Sequence, residues 1–470
     1  MEEMEKQKRG QWGSSFGFLM AAVGSAVGLG NLWGFPYKMG VGGGFAFLII
    51  YLILVVCVGF VVMIGELTLG RRTGKSVLGA YEELSGKCTI LGIMGVLSPG
   101  LILGFYTMLG GYCIKYAIAN LGDAFGAGWG VGDVDTSAYF ASFTTDQMQT
   151  IIYTFVFVAL TVLIVVGGVS GGIEKFTKVA MPALFFMLLI VIIRSVTLPG
   201  AGAGLAFVFK PNFEVFTGAG WVKVLALAGG QMFFSLSLGM GIMITYGSYL
   251  PKDENIQFSG IMIPFCDTLI AVMAGMAVMP AVFAMGLKPG QGPGLLFITL
   301  QTVFNHMGAV GPLFGFLFYV LVFIAAITSS ISLLEVLVSV AIDKMTEKGK
   351  TPNRKTVSII FGIVVFALGA LVSADGLGAN GLPKPFGFIW LDFLDFLSEG
   401  LMMPIGALVM CLLIGWWLGP KYLEDEITLG GHSFKAKGFI MFCFRIVAPA
   451  FIFLVLLGQL DSFLGFGWFS

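Results

Sequence analysis

Charged side chains are scarce in this sequence. Only 11% of its 470 residues are Asp, Glu, Lys or Arg, against about 25% in an ordinary soluble chain. With 57% hydrophobic residues and a mean hydropathy of +0.95, it has too little polar surface for water and suits lipid as its solvent. Lys plus Arg and Asp plus Glu both total 26, so net charge points to no charged partner, and no nucleic-acid partner is expected. Histidine is scarcer still: His306 and His432 fall in loops, neither in an HExxH context. No nucleophile–base constellation follows, which argues against an enzyme. Six cysteines are scattered without metal-ligand spacing, and the expected outer loops contain none. They read as packing residues, not ligands or disulfides. The charged N-terminus lacks a small-residue cleavage site, so no removable signal peptide is expected.

What the chain does have is long apolar runs. A membrane span needs about 20 such residues, and eleven candidates lie near 13–37, 42–70, 89–120, 149–170, 176–197, 222–250, 256–286, 311–342, 356–373, 386–417 and 438–463. Loop charge orients them. With the N-terminus inside, the inner segments hold Lys6, Lys8 and Arg9, then Arg71, Arg72, Lys75 and Lys87, then Lys175 and Lys178. They continue with Lys252, the group Lys344, Lys348, Lys350, Arg354 and Lys355, and finally Lys421, Lys435 and Lys437. The outer loops hold only Lys38, Lys210, Lys288 and Lys384. The positive-inside rule thus predicts a multi-pass protein of the cell (inner) membrane, N-terminus cytoplasmic and C-terminus outside. Residues 201–220 and 291–310 are too short or broken to span and are expected to form lids over the outer mouth.

Glycine is the other abundance: 68 residues, roughly twice the ~7% norm. Two spans are interrupted by it. The first reads AAVGSAVGLGNLWGFP, with Gly24, Gly28 and Gly30; the sixth reads GGQMFFSLSLGMGIMITY, with Ser235, Ser237, Gly239 and Gly241. Five spans separate the two starts, so each opens a five-helix block and the second block is inverted. The expected fold is an all-α polytopic membrane protein of eleven transmembrane helices with a 5+5 inverted repeat, helices 1 and 6 unwound mid-membrane. Its single transport domain would divide into repeats at 11–200 and 221–418, with an eleventh helix at 437–465. Breaks at matching places of inverted halves point to a mid-membrane site, although glycines also serve close helix packing. Unwinding exposes N–H groups that suit a carboxylate and carbonyl oxygens that suit a sodium ion. In the eighth span, Thr328 and Ser329 follow Ala325 by three and four residues, on one helical face. Two hydroxyls and a carbonyl make half a sodium shell; read alone, the same hydroxyls can instead back-bond to their own helix.

The segments GSAVGLGNLWGFPY, GQMFFSLSLGMGIMITYGSYL, AAITSSIS and SGGIEKFTKVAMP resemble the neurotransmitter:sodium symporter family, in particular its bacterial amino-acid members. The resemblance implies sodium-coupled uptake of an amino acid by alternating access, with sodium ions (two) and no organic cofactor, and no obligate protein partner beyond the lipid. A first sodium site would use Ala26, Asn31, Ser235 and Asp267; a second would use Gly24, Val27, Ala325, Thr328 and Ser329. The substrate carboxylate would meet the amides of Leu29 and Gly30 and the hydroxyl of Tyr106. Ser25, Ile102, Phe234, Ser237, Met240, Ser329 and Leu333 would line the side-chain pocket, whose apolar character implies a neutral, hydrophobic or aromatic L-amino acid. Gly28 stands where monoamine-transporting relatives carry an aspartate, against a decarboxylated substrate. An ion pair of Arg9 with Asp343, with Trp12 and Tyr249, would form the inner gate, and Tyr106 with Phe234 the outer one.

The sequence departs from the family pattern twice. Gly34 replaces the arginine of the outer gate, although its acidic partner, Asp395, is kept. Lys38, one turn outward, is the expected substitute. Asp267 replaces an asparagine close to where chloride-dependent relatives hold an anion, beside positions matching Tyr51, Gln231 and Ser235. Asp267 would supply that negative charge, so transport is expected to be chloride-independent. Two further intramembrane acids are functional candidates: Glu66, expected to bond the unwound first span, and Glu335, near the inner exit path. A proton-coupled or exchange-type transporter of the same fold, or a non-transporting amino-acid sensor, remains the alternative reading.

Overall fold

So apolar a chain can cross lipid only with its backbone groups bonded internally, and helices meet that demand within each segment. The computed structural model describes residues 10–132, 134–217, 220–287 and 292–468, and among them there is no strand. Helices α1 (Ser15–Ala26) and α2 (Gly30–Val41) form a bent pair with a 45° angle between them. They lead into α3 (Phe45–Thr73), a short α4 (Val77–Leu84) and α5 (Gly86–Ala124). Next come α6 (Thr136–Thr145), α7 (Gln147–Val166), α8 (Val169–Val196) and α9 (Ala201–Phe209). The second half holds α10 (Gly220–Ser235), α11 (Ile242–Gly247), α12 (Ile256–Ala284), α13 (Leu295–Asn305) and α14 (Gly308–Glu347). It closes with α15 (Arg354–Gly378), α16 (Trp390–Leu418), α17 (Pro420–Ile427) and α18 (Lys437–Leu464).

Among the described residues nine helices are long and apolar enough to cross a membrane, and α1 with α2 makes a tenth. The sequence count of eleven differs by one. The span expected near 222–250 is two short pieces, α10 and α11, separated by a non-helical stretch. Segments 201–220 and 291–310 do hold short helices, α9 and α13, as their broken apolar character implies. All six cysteines are free thiols.

The two longest helices, α5 and α14, run side by side, with α7 and α15 packed against them. Close approach depends on missing side chains. A Cβ on Gly110 would collide with the Phe157 ring, and one on Gly111 would sit 2.8 Å from the Thr154 amide nitrogen. Small residues bring helices together in lipid, where apolar surface gains nothing from leaving water. Helices α3 and α11 are closer still: a Cβ on Gly70 would strike the Ile244 carbonyl oxygen, and one on Gly247 would lie 2.7 Å from the Leu67 carbonyl oxygen.

The lids are pinned at one end of the bundle. Trp33 Nε1 donates to the Gly292 carbonyl (2.8 Å) and Asn305 Nδ2 to the Val131 carbonyl (2.8 Å). Phe297 of α13 stacks between Tyr319 and Phe140. At the other end, buried Arg71 donates to Glu426 Oε1 (2.9 Å), which also accepts from Lys252 (3.0 Å).

Because the contact between α3 and α11 is backbone on backbone, Gly70→Val should cost about 1–3 kcal/mol. A thermal melt of the purified protein will show a lowered midpoint, whereas exposed Gly74→Ala, at a left-handed cap, should cost less.

Candidate substrate and cation site

The site is made by two failures of the helical ladder. In α1 the last regular bond runs from the Val27 amide to the Val23 carbonyl. The Gly28 amide turns instead to Asn31 Oδ1 (2.9 Å), and the Leu29 amide donates to the Tyr106 hydroxyl (3.1 Å). Carbonyls in the last turn of α1 are thereby released. Ser25 O accepts from Ser237 Oγ (3.1 Å) and from Ser329 Oγ (2.9 Å). Only glycine fits at 28: a Cβ would collide with Ser329 Oγ and lie 2.6 Å from the Tyr106 hydroxyl.

The second break follows α10. Ser237, Gly239 and Gly241 have φ of 56°, 75° and 75°. A non-glycine residue there carries strain of about 1–3 kcal/mol, and Ser237 is held by its bond to Ser25. The Gly239 amide donates to Glu66 Oε1 (2.7 Å). Glu66 was expected to serve the first broken span. It serves the second, because α3 packs along α11 and so delivers its carboxylate to 239.

Between the breaks lies a small chamber of about 280 Å³ of atom-free space, below the ~300–1,000 Å³ of typical drug-sized pockets. Its wall includes Ser25, Ala26, Gly30, Ile102, Tyr106, Phe234, Ser237, Met240, Ser329 and Leu333 from the sequence reading, and adds Gly28 and Ile242. Leu29 and Ser235 stand behind that wall. The Tyr106 and Phe234 rings tilt together at 6.3 Å. No ionised side chain lines the chamber, so a charged substrate side chain would find no partner there.

Two oxygen clusters flank it. In one, fully buried Asp267 accepts from Asn31 Nδ2 (2.7 Å), Ser235 Oγ (3.0 Å) and the Tyr51 hydroxyl (3.3 Å). All three donors are neutral, and a buried carboxylate is costly without a counter-charge. A monovalent cation beside Asn31 and Ser235 would suit that charge, and the resemblance would add the Ala26 carbonyl. In the other, Thr328 Oγ1 back-bonds to the Ala325 carbonyl (2.9 Å) and Ser329 Oγ to the same oxygen (3.3 Å). Both hydroxyls also reach across to α1, Thr328 to Val27 O at 3.5 Å and Ser329 to Ser25 O. Gly24 lies one turn back, against Met181 and Thr177 of α8. Neutral hard oxygens in this number match a sodium ion better than a transition metal.

The gate residues are placed as follows. Trp12 donates from Nε1 to the Tyr246 carbonyl (3.1 Å), and its ring lies 6.3 Å from that of Tyr249. Asp343 accepts from the Ser76 amide (2.7 Å). Arg9 lies outside the described residues. The Tyr249 hydroxyl donates to Glu335 (2.8 Å), which is ion-paired with Arg354. At the opposite mouth, Lys38 pairs with Glu399, not with the expected Asp395. Glu399 is one turn farther along α16 and buried, whereas Asp395 is only partly buried. Gly34 is also explained: Gln231 fills the space, its Oε1 2.7 Å from where a Cβ would stand, while its Nε2 donates to the Gly30 carbonyl (2.7 Å).

Sequence reasoning passed over Glu399 and Glu174. Glu174 accepts from the Gly13 amide (2.6 Å) and Ser14 Oγ (3.0 Å), clamping the start of α1 to α8. Glu399 is an acid inside an apolar run, the signal that singled out Glu66 and Glu335; Glu174 sits in an inner connection, where an acid carries no such signal.

Comparison with known proteins agrees with this geometry. The sequence model of the Sodium:neurotransmitter symporter family matches residues 9–133 and 141–467. The uncharacterised sodium-dependent transporter YhdH of Bacillus subtilis is 36% identical over 457 residues, 97% of this chain and 98% of its own length. The sodium- and chloride-dependent glycine transporter 1 of Xenopus laevis is 24% identical over 515 residues, covering 96% of this chain and 78% of that one. Among solved structures, MhsT in complex with L-phenylalanine superposes with a TM-score of 0.87 at 35% identity, over 96% of this chain and 100% of that one.

Tyr106→Phe should leave the buried Leu29 amide without an acceptor, at a cost of about 1–3 kcal/mol. Gly28→Ala should displace the same hydroxyl. Both variants should lower the melting temperature, and hydrogen exchange at 27–31 should rise in each.

Proposed function

Since the chain belongs to the sodium:neurotransmitter symporter family and is a sodium-dependent membrane transporter, we propose that its cargo is a neutral, hydrophobic or aromatic L-amino acid. Uptake proceeds by alternating access of two inverted five-helix repeats, 11–200 and 221–418. The observation that carries this reading is the chamber between two broken helices, walled by uncharged side chains and flanked by oxygen clusters. The amides of Leu29 and Gly30 and the Tyr106 hydroxyl would meet the substrate carboxylate; Ile102, Phe234, Met240, Ile242 and Leu333 offer only apolar surface to its side chain. Sodium would add two positive charges, one beside Asp267 and one between Val27 and Thr328. Because α1 contributes to both clusters and to the chamber, filling the clusters fixes the wall that the substrate needs, and this is coupling in physical terms. L-phenylalanine bound to MhsT supports the substrate class, and the uncharged wall supports it independently.

Asp267 supplies the negative charge at the first cluster, so this transporter works without chloride. Orientation in the cell (inner) membrane follows the loop charge: N-terminus cytoplasmic, C-terminus outside. The outer gate combines Tyr106 and Phe234 with the Lys38–Glu399 pair, with Asp395 alongside. The inner gate combines Trp12, Tyr249 and Asp343 with Arg9, and Glu174 holds the start of α1 until it swings out.

In proteoliposomes, uptake of labelled leucine, phenylalanine or tryptophan should require sodium and fail in potassium; uptake in potassium would instead support a proton-coupled or exchange reading. Thr328→Val should raise the sodium concentration for half-maximal uptake about tenfold or more, equivalent to losing about 1.4 kcal/mol. Replacing chloride by gluconate should leave the rate unchanged. Lys38→Ala should leave buried Glu399 unpaired, a change that costs about 3–5 kcal/mol in a fully buried pair and less at this half-buried one. It should weaken substrate affinity, with Glu399→Gln restoring part of the loss in the double variant.

A further inference from the structure

On the outer wall of the bundle, two long helices adjacent in sequence part company. Helices α7 and α8 are joined at the glycine-rich turn 167–172, two linking residues and the first turn of α8, and each packs on α14 rather than along the other. The splay opens a groove with about 960 Å³ of atom-free space, floored by Ile324 of α14 and walled by Leu163, Gly172, Val179 and Ala183. The turn holds this geometry with glycine: a Cβ on Gly172 would collide with the Ile164 carbonyl oxygen. The rims are apolar and open, Leu163 at 71% and Val179 at 73% exposure. One charged side chain, Lys175, stands in the groove's lining. Lys178, three residues on, is paired with Glu174; Lys175 is exposed and has no ion-pair partner among the described residues.

We propose that this groove binds an anionic phospholipid, one acyl chain lying between α7 and α8 against α14 and the phosphate on Lys175. An apolar cleft on a membrane face is filled by hydrocarbon in any case. Tail burial alone gives little selectivity, because the competing solvent is other tails. The choice among lipids therefore rests on the headgroup, and a solitary lysine at the cleft favours a negative one. On the proposed orientation Lys175 also faces the cytoplasmic leaflet, where anionic lipids concentrate.

The occupant would have a mechanical consequence. Ile324, the floor, gives its carbonyl to Thr328 Oγ1 at 3.0 Å. A chain seated there bears on the turn of α14 that carries the second oxygen cluster. This consequence rests on the transport reading; the binding does not.

The test is native mass spectrometry of the full-length protein with phosphatidylglycerol and phosphatidylcholine of identical acyl chains, without sodium or amino acid. Phosphatidylglycerol should be retained preferentially. Lys175→Gln should reduce that preference about fivefold, Lys175→Arg should keep it, and Lys350→Gln, at the same end of the bundle, should leave it intact. Ala183→Phe, filling the groove, should reduce retention of both lipids. No headgroup preference in the parent protein, an unchanged preference in Lys175→Gln, or an equal loss in Lys350→Gln would each overturn the proposal. Because no transport is measured, a failure here leaves the sodium-coupled reading standing, and a failure of uptake leaves this one standing.

Discussion

Everything in this structure turns on the cost of an unbonded peptide group inside a bilayer. A helix meets that demand automatically, and a broken helix must meet it group by group. At the first break, Asn31 caps the Gly28 amide, Tyr106 caps the Leu29 amide, and Ser237 and Ser329 share the Ser25 carbonyl. At the second, Glu66 caps the Gly239 amide. These partners come from α2, α3, α5, α14 and the non-helical stretch after α10. The breaks are therefore tied to the rest of the bundle, and a shift in any neighbour alters the backbone of the chamber.

That arrangement explains why transport and cation binding can share one wall. The hydroxyls of Thr328 and Ser329 satisfy themselves on their own helix and also touch α1. A cation between them would replace weak contacts at 3.5 Å by strong ones and draw α1 onto α14. The Asp267 cluster acts on the far side of the break through Asn31, which holds both Asp267 and the Gly28 amide. The two clusters thus hold neighbouring residues of the break, Ser25 and Val27 on one side and Gly28 on the other.

The departures from the family pattern are solved locally. Loss of the arginine at Gly34 lets Gln231 move against α2 and take the Gly30 carbonyl. Lys38 restores a cation at the mouth one turn outward, and it pairs with Glu399, one turn deeper along α16 than Asp395. The sequence shows that a charge has moved along α2. Which acid answers it depends on how α16 is rotated and set against α2, and nothing in the spacing 395–399 reports that.

Much was legible in the residues alone. Apolar run lengths and loop lysines yielded the spans, and glycines at corresponding positions located both breaks. Part of the chamber wall lies next to the breaks in sequence; Ile102, Tyr106, Ser329 and Leu333 lie far from them and enter the wall only through the family resemblance. What the string could not express is the destination of long-range polar side chains. Glu66 reaches the second break rather than the first, and Glu174 clamps the start of α1. The splay of α7 from α8 is likewise invisible in a sequence that reads as two ordinary spans. Hydrophobic periodicity and glycine content are local properties, fixed by the cost of peptide groups in lipid, so the sequence determined that the chain spans the membrane and where it breaks. Partner choice among buried acids and amides depends on helix rotation and packing across hundreds of residues, and only the tertiary structure decided it.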